Sequence, residues 1–366
     1  MTLRSLAPLL KLCAASLVAL LIADAALFRS GWYLRLIEPE STAGSMLNDL
    51  RAIRAFRQAD RKNILVLGNS QIGEGFSARI ADAASGRDDL HFINGSDAGT
   101  TPRAWYYLLR TVDPDADRFA AVAMMVDYDV AATRIDMANY RLDTNYLQPL
   151  LRICDLGDYP NTFTDAGERA RARRAIVLPL QALGEDVRGL FANPGERFHD
   201  LRRYRKDWLH DVDVYPGREA RLPPLTIDAN TGRPVDFSPL DSDARPRVEA
   251  YFRQLHEPAP VQTQTANAAY LREWLGRIAH RYASKHVPVI VFVVPRGPWH
   301  QALAPVPVPT GAVAELAASG AIVPLPADAF VDLEQPQYFF DTLHMNRDGR
   351  ENFSRRLAQQ VPPLVH

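Results

Sequence analysis

A serine, an aspartate and a histidine in this chain are the residue types that a nucleophile, its orienting acid and its base require. Ser70 lies in Gly68-Asn69-Ser70-Gln71-Ile72-Gly73-Glu74-Gly75, and Asp341 and His344 lie in Phe339-Phe340-Asp341-Thr342-Leu343-His344-Met345-Asn346. A neutral imidazole can take the proton of a serine hydroxyl, while a carboxylate on its other ring nitrogen holds the tautomer and stabilises the imidazolium. A spacing of three lets one turn supply both groups. A second turn, Asn94-Gly95-Ser96-Asp97-Ala98-Gly99-Thr100-Thr101, adds Gly99, where the absence of a Cβ lets a backbone N–H come close to an oxyanion. Taken singly, each motif also reads as an ordinary turn; their order along the chain is what joins them.

Such loops need rigid elements behind them. Asn63 to Gly68, Leu90 to Asn94, Phe119 to Val126 and Val287 to Val294 are short continuous apolar runs, the pattern of parallel strands buried on both faces. Helical stretches alternate with them, so the chain is α/β. Ligands of such sheets bind at the carboxyl ends of the strands, and the Ser70 and Gly99 turns each leave such an end. The Asp341–His344 turn precedes a helix expected to start near Asn346 or Asp348, with Phe353, Leu357 and Val361 as its apolar stripe. Between about residues 132 and 260 the rhythm is lost, although 166–190 reads as helical and 266–284 as amphipathic. That interval reads as a large, mostly helical or irregular insertion into a domain of 62–366, with 31–61 as a connecting segment.

The remaining composition narrows the class. The 366 residues carry 42 basic and 43 acidic side chains, so no overall field exists to hold nucleic acid. Two cysteines, Cys13 and Cys154, make no disulfide framework. Arg4 and Lys11 precede the apolar run Leu12 to Phe28, interrupted only by Asp24, and Arg29 and Arg35 follow it. A basic start before an apolar stretch keeps the N-terminus in the cytoplasm and delivers the rest across the membrane. Residues 1–30 therefore read as a transmembrane signal anchor in the inner membrane with the remainder in the periplasm. Cleavage near Ala25, after the small-x-small pattern Ala23-Asp24-Ala25, is the alternative, and would secrete the protein. The Arg-dense span with Arg169, Arg171, Arg173, Arg174, Arg197, Arg202, Arg203, Arg205 and Lys206 is either a solvated helix face or a site for an acidic glycan or anionic headgroup.

The serine after the first strand, the glycine loop after the second and the Asp-x-x-His before the last helix together resemble the SGNH (GDSL-like) hydrolase superfamily. The resemblance covers about residues 63–132 and 287–366. It implies a three-layer, flavodoxin-like α/β sandwich with a mainly parallel sheet, Ser70 as nucleophile, His344 and Asp341 as base and acid, and the N–H groups of Ser70 and Gly99 as oxyanion donors. No cofactor is called for. Two departures stand out. Asn69 replaces the family's aspartate before the serine, as an organiser of the turn that can also touch substrate. The family's third-block asparagine is missing from Val126-Asp127-Tyr128-Asp129, and the Tyr128 hydroxyl or Arg103 are the candidate replacements. Arg296 is a candidate for an acidic group of the substrate, or a partner for Asp127 or Asp129. A metal site from Asp127, Asp129, Asp341 and His344 would leave the serine turn and glycine loop unexplained. An anchor, an exported domain and an altered third block are similar to the membrane-tethered SGNH proteins that act beside membrane-bound O-acyltransferases. The expectation is serine-dependent O-acyl transfer, with acetyl as the acyl group, to an exported polysaccharide. The alternatives are a carbohydrate esterase or lipase of the same fold, and a noncatalytic scaffold or glycan-binding module.

Overall fold

The computed structural model describes residues 3–128, 133–228, 230–255, 257, 259–303 and 305–365. The chain divides into two compact units, Met1–Asn48 with Arg141–Trp208, and Asp49–Tyr140 with Leu209–His366. The interval expected to be one insertion is therefore shared between them. Residues 141–208 go with the N-terminal segment, and residues 209–260 with the sheet.

In the second unit the apolar runs form strands in chain order: β1 (Lys62–Leu67), β2 (Leu90–Asn94), β3 (Ala121–Met125), a two-residue antiparallel pair β4 (Ile227–Asp228) and β5 (Arg233–Pro234), then β6 (Val289–Phe292) and β7 (Val323–Pro324). Five of them make one sheet in the order β2-β1-β3-β6-β7, and every neighbouring pair is parallel. The register sets Ile64 of β1 between Phe92 of β2 and Ala121 of β3. Prolines limit the far side: Pro288 and Pro295 bracket β6 closely, and β7 is an edge strand containing Pro324, which has no N–H to offer a further neighbour. Helix Pro102–Val112 packs against Val261–Ala283, which in turn meets Gly311–Ala318. Helices Ala78–Ala84 and Ser70–Gly75 pack on Arg347–Gln360. That last helix begins where its cap is expected, with Asn346 accepting the Gly349 N–H at 3.0 Å, and its Phe353 ring meets Phe330 and Phe292 at 4.8 and 6.1 Å.

The first unit holds the apolar helix Leu3–Asp24, continued by a wider turn over Ala25–Arg29. The stretch Lys11–Arg29 is long and apolar enough to cross a membrane, with a mean hydropathy of 2.0. Leu12 and Ile22 are 65% and 64% exposed, so protein does not cover the stretch between them. Asp24, the one acid in the run, is buried instead and accepts the Leu180 N–H at 2.8 Å. The residues beyond it pack as a small core of Phe28, Tyr33, Ile37, Ala43 and Leu183. Arg197, 5% exposed, donates to Glu38 at 2.6 Å and Asp186 at 3.2 Å, fastening residues 30–40 to the second half of the unit. The helix expected over 166–190 is three helices, Ala166–Val177, Pro179–Ala182 and Gly184–Ala192, because Pro179 removes a hydrogen bond and Gly184 loosens the next junction. Most arginines of the basic span are committed within this unit: Arg169 to the Phe163 and Thr164 carbonyls, Arg171 to Asn145, Arg173 to Asn161, Arg203 to Glu40 and Arg205 to the Arg35 carbonyl.

Candidate active site

The order of the sheet reverses at β1, which has β2 on one side and β3 on the other. The crevice past the carboxyl ends of β1 and β3 is where an open parallel sheet binds ligands. Ser70 stands there. After β1 the chain turns at Gly68, where any Cβ would collide with Ile72, and Asn69 caps the next helix by accepting the Gln71 N–H at 2.9 Å. Ser70 is thereby the first residue of Ser70–Gly75. Arg350 secures the other end of this short helix, donating to the Gly73 and Glu74 carbonyls at 2.8 Å each. Its burial pulls the guanidinium down to about 10, with the Tyr215 and Glu74 groups acting in the opposite direction.

A bridge between Phe339 and Met345 closes the turn that carries the other two residues. Inside it the Asp341 Oδ1 accepts the backbone N–H groups of Leu343 and His344 at 2.8 and 2.7 Å, and its Oδ2 meets His344 Nδ1 at 2.9 Å. A carboxylate only accepts, so Nδ1 carries the proton and Nε2 presents its lone pair. Nε2 is 2.8 Å from Ser70 Oγ. Burial works against the Asp341 charge, yet hydrogen bonds from the His344 ring and backbone and from the Leu343 N–H outweigh it and hold the carboxyl below its ordinary range. The His344 ring lies stacked on Phe340 with centroids 5.7 Å apart, and Arg218 covers Phe340 at 4.7 Å. Ser70, His344 and Asp341 are thus one hydrogen-bonded chain, with Ser70 and His344 274 positions apart in sequence.

The second loop lies across the first. Asp97 donates its N–H to the Gly68 carbonyl at 3.2 Å, and the Thr100 hydroxyl reaches the Asp97 and Gly68 carbonyls at 2.7 and 3.2 Å. Gly99 follows with φ of +72°, a conformation that suits glycine. Neither the Ser70 nor the Gly99 backbone N–H has an acceptor among the described residues. Beneath this loop, Asp49 sits beside Asp97, and burial followed by that neighbouring carboxyl raises Asp49 well above the usual range.

The expected replacements for the missing asparagine are corrected. Tyr128 is buried with its hydroxyl directed at the Val291 and Leu325 carbonyls, at 2.8 and 3.0 Å, and burial raises its pKa. Arg103 is 0% exposed, donates to the Ala138 carbonyl at 2.8 Å and stacks over Tyr270 and Trp274. Both are buried side chains, with the Tyr128 hydroxyl and the Arg103 guanidinium turned to partners in the core. Arg296 does not pair with Asp127 either: Glu334, 2% exposed, takes it through two bonds of 2.7 and 2.8 Å, which leaves no fork for a substrate anion. Asp127 instead accepts the Thr133 hydroxyl at 2.8 Å, and Asp129 lies outside the described residues. Among the described residues no group of three or more His, Cys, Asp or Glu is placed to hold a metal ion.

A cavity of about 710 Å³ opens beside Asn69, Gln71 and Gly99. Its walls include Trp105, Leu271, Tyr251 and His300, none of which the sequence marked as a site residue. Tyr251 and His300 form a pair, with the phenol oxygen 2.6 Å from Nδ1; burial and then the Arg296 charge push His300 down to about 3. A helical stripe containing Leu271 and a lone Tyr251 carry no signal in one sequence that separates cavity wall from core. No family model matches this chain, and no curated protein matches it.

Proposed function

We propose that this chain is a membrane-anchored enzyme of the SGNH type that moves acyl groups through an acyl-serine at Ser70, with an exported polysaccharide as acceptor. The observation that carries the reading is the chain Ser70 Oγ, His344 Nε2, His344 Nδ1, Asp341 Oδ2, with contacts of 2.8 and 2.9 Å, at the carboxyl end of β1. The strand order is in its favour too, because counting only the five sheet strands it runs 2-1-3-4-5, the order of doubly wound flavodoxin-like sheets.

In the first half-reaction Ser70 Oγ attacks the donor's carbonyl carbon while its proton passes to His344 Nε2. The oxyanion is met by the Ser70 and Gly99 N–H groups. Collapse expels the donor's leaving group, which takes the proton from Nε2. A sugar hydroxyl then gives its proton to Nε2, attacks the acyl carbon and releases Ser70 Oγ, which recovers the proton. With water in place of sugar the same groups make an esterase. The apolar stretch Lys11–Arg29, exposed over residues 11–20, supports an anchor, and the basic start of the sequence favours a periplasmic site beside an integral-membrane acyltransferase that brings the acyl group across.

The test uses the full-length protein and p-nitrophenyl acetate. Turnover is expected, with losses on the order of 10⁴-fold or more in Ser70→Ala and His344→Ala. Equal background rates in all three proteins defeat the enzyme reading. For the transfer step, the acyl content of the cell's exported polysaccharide is expected to fall in a Ser70→Ala strain, and an unchanged content defeats it.

A further inference from the structure

We infer that the acyl group carried by Ser70 is an apolar chain of medium length, seated in the cavity beside Gly99, and not acetyl; this rests on the acyl-serine reading. The cavity measures about 710 Å³ and begins at the residues that flank the nucleophile and at the oxyanion loop. At roughly 30 Å³ for each heavy atom, the share of one water in the liquid, acetyl would occupy about 90 Å³. Acetyl would fill about an eighth of that space, and an octanoyl group, at about 270 Å³, more than a third of it.

The chemistry of the lining identifies what fills it. Met125 and Val126, both buried, continue β3 into the cavity, Trp105 and Leu271 stand along it, and Ile135 and Leu343 are at its edge, 58% and 43% exposed. Leu343 belongs to the same turn as Asp341 and His344, so the apolar edge touches the reacting end of the site. Several polar side chains of the lining are paired with one another. Trp105 Nε1–H donates to Thr100 at 2.9 Å, Arg134 is paired with Glu257 at 3.0 Å, and Tyr251 with His300 at 2.6 Å. A sugar there would have to break these pairs and give up its own hydrogen bonds to water, whereas a hydrocarbon chain has none to lose. Specific binding needs an oriented polar end, which the Ser70 and Gly99 N–H groups supply at the ester carbonyl.

The experiment compares p-nitrophenyl acetate, butyrate, hexanoate and octanoate on the full-length protein in lipid nanodiscs, where no detergent chain competes. Each methylene buried is expected to raise kcat/KM by about fourfold, reaching on the order of 10³-fold between acetate and octanoate. Ile135→Glu, a substitution at an exposed position, is expected to lower the octanoate-to-acetate ratio at least about tenfold by placing a charge against the chain. A second measurement needs no chemistry: sodium octanoate, and not sodium acetate, is expected to raise the melting temperature of Ser70→Ala. A rate that falls from acetate to octanoate, with no octanoate shift, overturns the inference, while Ser70-dependent acetate turnover in the same data keeps the acyl-serine reading. An octanoate shift without turnover of any ester keeps the cavity as an alkyl-chain site and defeats the acyl-serine reading. A preference for long-chain alcohol acetates over long-chain acyl esters also overturns the inference, by placing the leaving group in the cavity.

Discussion

Two histidines of the sheet unit each spend Nδ1 on an oxygen, and the nature of that oxygen gives them opposite properties. His344 meets the Asp341 carboxylate at 2.9 Å and turns Nε2 toward Ser70. His300 meets the Tyr251 phenol at 2.6 Å, and burial together with Arg296 holds it at about 3. A carboxylate offsets the charge of an imidazolium; a phenol with its proton donated to Nδ1 offsets nothing and blocks the site of protonation. One ring can therefore take up a proton during a reaction, and the other stays a neutral wall of the cavity. Residue type alone does not decide which ring can carry a charge; the groups around it do.

The contrast breaks most sharply at Asp341. Asp341→Asn is expected to reduce kcat by about 10³- to 10⁴-fold, since an amide donating to Nδ1 would reverse the tautomer and leave a proton on Nε2 facing Ser70. His300→Gln, which keeps an acceptor for Tyr251, is expected to change kcat less than about tenfold. Steady-state rates on a p-nitrophenyl ester check both, and a loss of similar size in the two variants would erase the distinction between the rings. On the proposed mechanism a smaller effect is expected at the Gly99 loop. Gly99→Ala forces a Cβ into a backbone with φ of +72°, a strain of roughly 1–2 kcal/mol, and shifts one of the two N–H donors. A fall in kcat of about 10²-fold follows from losing one donor, with KM changing little.

Much of this arrangement was legible in the residues. Ile64, Leu65 and Val66, or Val289, Ile290 and Val291, are continuous apolar runs with no competing helical period, and the turns after them could be searched directly. Asp341 and His344 were findable because a turn brings positions three apart together whatever surrounds it. The oxyanion replacements were not. Tyr128 and Arg103 lie close to the right strand and loop in sequence, but residue order locates a backbone without saying where a long side chain points, and packing took both inward. The strand β7 escaped notice because two residues, one of them Pro324, have no periodicity. The partition of the chain escaped it because the partners of residues 141–208 lie in the first 48 positions, a pairing no local pattern encodes.

Acid stability sharpens the comparison between the histidines at lower cost in free energy. Folded His300 stays neutral down to about 3, whereas the imidazole of the unfolded chain takes up its proton near 6.5. The unfolded state then binds more protons, so this stabilisation is complete above about pH 6.5 and is lost as pH falls toward 3, by up to about 1.4 kcal/mol per unit. Asp341 contributes in a separate window: its lowered value means its stabilisation is present above about pH 4 and disappears below that, as pH falls through the native value. Urea unfolding at pH 7, 6, 5 and 4 is expected to give a shallower decline for His300→Gln and an unchanged one for Asp341→Asn. The reverse pattern would mean that the partners have been assigned wrongly.

The smallest expected effect concerns two carboxyls that do the opposite of Asp341. Asp341 is held ionised by three N–H donors, while Asp49 is pushed upward by burial and by Asp97, a residue of the loop that presents Gly99. A carboxyl with a raised native value keeps its proton when the unfolded chain has released it. The stabilisation it gives is complete below about pH 4 and is lost as pH rises through the native value. Asp49→Asn supplies an N–H to Asp97 at any pH and has no proton to lose. It is expected to gain about 1 kcal/mol over the parent at pH 8 and nothing at pH 4, read from unfolding midpoints at the two pH values. Because Asp97 also shapes the turn before Gly99, the same variant is expected to hold kcat steady across alkaline pH where the parent declines. A parent whose stability is flat between pH 4 and 8 would show that Asp49 and Asp97 do not share a proton.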